Sequence, residues 1–192
     1  MKRRVVAVLS LAIYAASLAT AQDDSQAVAD AGRQAPLRML KGITVIVYPV
    51  TAKDANTSAK DLMTSIQLQL RQSRIEFAAY TFADGNSGET QRAKAEHWPI
   101  LKLTVTADRE SADSVYDLSV ELKLSEFVAS PHDAKAIVTA TYWTQTEFFF
   151  AGADRLSDQI NRSVDKLTKQ YCNDWLAAHS DTFKYPSEFK TN

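Results

Sequence analysis

Tyr116-Asp117-Leu118-Ser119-Val120-Glu121-Leu122-Lys123-Leu124-Ser125 alternates apolar and polar residues without a break. A period of two is what a strand requires when one face packs on a core and the other meets water. The same rhythm lies on either side. Upstream, Leu101, Leu103, Val105 and Ala107 alternate with Lys102, Thr104 and Thr106, and the polar stretch Asp108 to Ser114 joins the two runs as a hairpin loop would. Downstream, the turn residues Ser130-Pro131-His132-Asp133 lead into a third alternating run, Ala136 to Phe148. Three consecutive antiparallel strands follow from this order.

Beyond the third run the period changes. Leu156, Ile160, Val164, Leu167, Tyr171 and Trp175 recur every three or four residues, while Asp158, Arg162, Asp165, Lys166, Lys169 and Asn173 fill the opposite side, so a long amphipathic helix is expected over about Asp154 to Ala178. Towards the amino terminus, Ser58-Ala59-Lys60-Asp61 is a capping pattern followed by Leu62, Met63, Ile66 and Leu70, which predicts a helix over about 58–73. Before it, Ile43-Thr44-Val45-Ile46-Val47-Tyr48 is β-branched and almost continuously apolar, as in a central strand covered on both faces, and Pro49 closes it. Ile75-Glu76-Phe77, within Arg74 to Tyr80, supplies a short returning strand. The expected fold is α+β: two helices on one face of a four- or five-stranded mixed sheet, in the order strand, helix, short strand, three strands, helix. Residues 41–179 form the single domain, 22–40 a flexible leader and 180–192 a polar tail.

Met1-Lys2-Arg3-Arg4 is a positive start, Val5 to Leu18 an apolar run, and Ala19-Thr20-Ala21 presents small residues to a signal peptidase. The run is shorter than the roughly 20 residues that span a bilayer, so residues 1–21 read as a cleavable signal peptide rather than an uncleaved anchor. Export to the periplasm or the extracellular space is the expectation. Cleavage removes three of the 22 basic residues, leaving 19 against 23 acidic ones and a formal charge of −4. That balance gives no electrostatic reason to seek nucleic acid, and no stable membrane insertion is expected after cleavage. The single cysteine, Cys172, excludes an intramolecular disulfide.

The element order over residues 43–178, together with the signal peptide, resembles small bacterial envelope domains such as the amino-terminal domain of the Tol–Pal propeller protein and the lipoprotein that plugs the lipopolysaccharide translocon. The resemblance implies a non-enzymatic accessory role beside another envelope protein. The chain departs from the lipopolysaccharide protein in having no lipid-bearing cysteine near its cleavage site, and no functional residue carries over.

The chemistry-bearing residues are sparse. His97, His132 and His179 show no spacing that ligates a metal, and surface residence is the reading preferred for each. Cys172 and His179 are separated by roughly 10 Å of helix axis, too far for a nucleophile and its base, so Cys172 reads as a small buried hydrophobe. Asp108, Glu110 and Asp113 share a loop without the order of a calcium site, and solvated charge is the better account. There is no G-x-S-x-G elbow and no glycine-rich phosphate loop, so no catalytic residue, cofactor or metal is assigned. Asn56 and Asn161 open glycosylation patterns, which matter only in a eukaryotic host. What remains is Phe148-Phe149-Phe150. Neighbours on a strand point to opposite faces, so part of this trio must leave the helix-covered face and is the candidate partner contact. The expected function is an exported binding or scaffold domain; the alternative is a secreted hydrolase using carboxylates that no motif pairs.

Overall fold

The computed structural model describes residues 29–51, 55–81, 98–109, 115–130 and 136–181. After a helical stretch over 29–34, a 3-10 turn (Ala35–Met39) leads into β1 (Ile43–Val47), α1 (Ala59–Gln72), β2 (Phe77–Thr81), β3 (Ile100–Arg109), β4 (Val115–Ala129), β5 (Ile137–Gly152) and α2 (Leu156–Ala178). The five strands form one sheet in the order β2-β1-β3-β4-β5. β1 runs parallel to both β2 and β3, and β4 runs antiparallel to its two neighbours, β3 and β5. This is the α+β mixed sheet that the alternation predicts.

Register explains which face became core. Val45 pairs with Leu101, Leu101 with Leu124 and Leu124 with Trp143, so all four project to one side. Val47, Leu103 and Leu122 form the next rank, and every one of these side chains is buried. The stripe of α2, Leu156 through Trp175, is buried against this side, and α1 adds Leu62, Met63, Ile66 and Leu70. Burying each such side chain is worth about 1.5–3 kcal/mol, which is what selects this register over a slip by one residue. The other face carries Lys102, Thr104, Glu121, Lys123 and Thr144 and stays open over β3 to β5. On β1 the expectation of cover on both faces holds for Thr44, which is buried.

Local chemistry sets the ends. The Ser58 hydroxyl accepts from the Asp61 amide at 3.1 Å and donates to its carboxylate at 2.6 Å, so α1 starts where the capping pattern places it. At its far end the Ile75 amide reaches the Leu70 carbonyl and the Arg74 amide that of Arg71. That closure requires a left-handed residue after the cap, and Arg74 supplies it at φ 57. Glycine is the usual occupant, because a side chain there costs about 1 kcal/mol or more. Gly42 is held by a different constraint: a Cβ there would sit 2.9 Å from the Trp98 ring.

Three boundaries differ from the sequence reading. The leader expected over residues 22–40 is packed at its end, where Leu37 is fully buried, because an apolar pair flanking Pro36 reaches the core ahead of β1. β2 begins at Phe77 and not at Ile75, since Ile75 is spent closing α1. β5 runs on past Phe148 to Gly152, carried by pairing with Val115 to Ser119.

Candidate functional site

The phenylalanine trio is split by the pleat. Phe149 lies opposite Leu118 on the helix side and packs against the core. Phe148 and Phe150 lie opposite Ser119 and Asp117 on the open face, 79% and 75% exposed. Burial of the whole trio would have required a cover over the open face, and among the described residues no element lies there. β5 is also an edge strand, and its single ionisable acid, Glu147, points to the helix side, where Lys166 pairs with it. Burial alone would raise the Glu147 carboxyl, but hydrogen bonds from Lys166 and Ser163 prevail and hold it below the usual carboxylate range. The outer face and outer edge of β5 therefore carry no charge of their own.

The open face has a second apolar end. One extra residue, Tyr142, is inserted where the register passes from Leu124 opposite Trp143 to Ser125 opposite Thr141. Its hydroxyl donates to Glu126 at 2.6 Å, which raises the Tyr142 pKa. Beyond the bulge, exposed Phe127 pairs with Thr139, and exposed Ile137 with Ala129. Sequence reasoning passed over Phe127, yet the signal was present: extending the alternation of Tyr116 to Ser125 by two residues puts Phe127 on the wet side.

The other residues singled out in the sequence do not converge. Cys172 is buried and free, and burial pushes its thiol pKa up against a smaller opposing hydrogen bond from Ser73, so the thiolate that a nucleophile needs is disfavoured. His179 lies 4.5 Å from Trp175, ring stacked on ring, with Nδ1 2.9 Å from the Trp175 carbonyl oxygen and Nε2 3.1 Å from that of Leu40. His97, His132, Glu110 and Asp113 lie outside the described residues, and Asp108 is exposed near the end of β3. Asn161 is exposed on α2, and exposed Asn56 has a left-handed backbone at φ 41. Among the described residues no three histidine, cysteine or acidic side chains group as metal ligands would.

A cleft of about 710 Å³ opens at the end of the molecule where α1 and α2 finish, walled on a third side by the 3-10 turn. Arg38, Lys41, Arg74 and His179 line it with Glu76, and Met39, Leu40, Trp175 and Leu176 supply its apolar surface. Two helix C-termini place partial negative charge here, and a cation beside such an end is worth typically 0.3–1 kcal/mol. That is no more than the strain of holding Arg74 left-handed, so the dipole does not by itself account for an arginine where glycine fits.

No family model and no curated protein matches the chain. Among solved structures, one titled "Crystal structure of uncharacterized protein" is similar at a TM-score of 0.36 and 10% identity, over 71% of this chain and 93% of that one.

Proposed function

We propose that this chain is an exported, non-enzymatic binding or scaffold domain, accessory to an envelope complex, that grips a partner protein through Phe148 and Phe150. The observation that carries the reading is the pair of phenylalanines standing in solvent on the open face of an edge strand, beside threonines and away from the core. Large aromatic side chains dominate the energetics of protein interfaces when a partner desolvates them. An edge strand without charge on its outer side offers unpaired backbone groups to the same partner.

A photo-crosslinking residue placed at 148 or 150 in producing cells tests it. One defined adduct is expected from those positions and none from exposed Lys169 on α2. Phe148→Ser with Phe150→Ser should leave the melting temperature within a few degrees of the parent, whereas Phe149→Ser should lower it clearly. No adduct, or equal destabilisation by all three replacements, would remove the contact surface.

A further inference from the structure

The cleft at the joint end of α1 and α2 has a composition that stability does not require. Its formal charges do not balance: Arg38, Lys41 and Arg74 stand against Glu76 as the one acidic group among the described lining residues. Lys41 and Arg74 are exposed, and neither has a carboxylate within ion-pair distance among the described residues. Arg74 is held left-handed, a conformation in which glycine would serve the helix end better. Strain of this kind concentrates where a side chain has been placed for a purpose other than folding. Beside the two cations stand Met39, 79% exposed, and Leu176, 49% exposed, large apolar groups left in solvent at the cleft mouth, with the buried Trp175 ring below them.

Two cations with no carboxylate at ion-pair distance among the described residues, next to open apolar surface, match a ligand that is itself divided, with a negative head and an apolar body. We propose that this cleft binds a single anionic amphiphile, its phosphate headgroup between Lys41 and Arg74 and its apolar part against Met39, Leu176 and Trp175. The volume suits one small molecule of this class. Arginine presents a planar fork of donors that meets phosphate oxygens in pairs, and the lysine ammonium adds a point charge beside it. The cleft shares none of these residues with the phenylalanine surface on β5, so the two readings stand or fall separately.

Isothermal titration of the purified chain with dihexanoyl phosphatidic acid below its micellar concentration tests the site, with dihexanoyl phosphatidylcholine and inorganic phosphate as comparisons. The phosphatidic acid should bind at least about tenfold more tightly than either comparison. Arg74→Gly and Lys41→Gln should each weaken it by about tenfold or more, and Arg74→Gly should melt no lower than the parent, since it relieves the left-handed strain. Loss of binding in a variant that folds at least as well assigns the headgroup contact to that side chain. Inorganic phosphate binding as tightly as the amphiphile would overturn the apolar half of the site. Phosphatidylcholine binding equally well would overturn the charged half. No binding, or full binding by Arg74→Gly, would overturn the proposal altogether.

Discussion

Tyr171 illustrates how a single atom can work against an otherwise well-filled core. Its ring is fully buried and meets Trp143 edge to face, with centroids 5.2 Å apart and planes at 77°. Its hydroxyl has no hydrogen-bond partner among the described residues, and burial drives its pKa well above the ordinary phenol value. A buried polar atom without a partner costs roughly 1–3 kcal/mol, whereas the ring's packing does not need the oxygen. Tyr171→Phe is therefore expected to raise stability, by up to about 1 kcal/mol in denaturant melts, and a loss of that size would mean that the hydroxyl has an acceptor. Asp174 shows the opposite arrangement nearby: buried on α2, it accepts from the Trp143 indole at 2.8 Å and from Gln34 at 3.4 Å, with Arg33 at 3.5 Å. A carboxylate so placed ties the amino-terminal segment and β5 to the same helix.

Among the elements, β5 and α2 are joined by an ion pair, Glu147 with Lys166, whose pH dependence can be worked out. Glu147 is held below the usual carboxylate range by its contacts with Lys166 and Ser163, so its folded pKa lies under its unfolded one. A depressed carboxylate contributes stability above the unfolded value, near pH 4.5, and loses it as pH falls through the folded value. Lys166 is largely exposed, so its share is modest, at most about 1 kcal/mol. Lys166→Gln should be slightly less stable than the parent at pH 7, and the difference should shrink as pH falls below 4.5 and vanish once it has passed through the lowered folded value. A difference that persists in acid would assign the loss to packing of the lysine stem. The same two elements show what periodicity can deliver. The stripe Leu156 to Trp175 is buried residue for residue, and the polar face is not, because a helix docked on a flat sheet has one choice of face.

At the scale of the whole molecule, one layer of two helices covers one face of the sheet, and the other face of β3 to β5 remains open among the described residues. No described helix is long and apolar enough to cross a membrane. The proposal of export carries its own check, since a signal peptidase cutting after Ala21 leaves a chain that begins at Gln22. Intact-mass measurement of the protein collected from outside the cytoplasm should give that start with no added acyl mass. A species that retains residues 1–21 would sink the exported reading, while the fold would stand unchanged.

The sequence by itself determined the strands with one wet face and the two helices, because each has a period of its own and a polar side that reports solvent directly. It also determined that Phe148, Phe149 and Phe150 cannot share a face. Only the tertiary structure decided which of them meets water, since that depends on Phe149 facing Leu118 on the side that α2 covers. It alone placed Leu37 in the core, a residue with no periodic neighbours to announce it. The cleft was least legible of all, because Lys41, Arg74 and Trp175 come from three distant parts of the chain. Ser73-Arg74 carried one local hint, an arginine where a helix end favours glycine, but two helix ends and a turn had to meet before that hint had a neighbour. Periodicity reports a residue's relation to its own element; convergence is set by how the elements dock, and no local pattern encodes it.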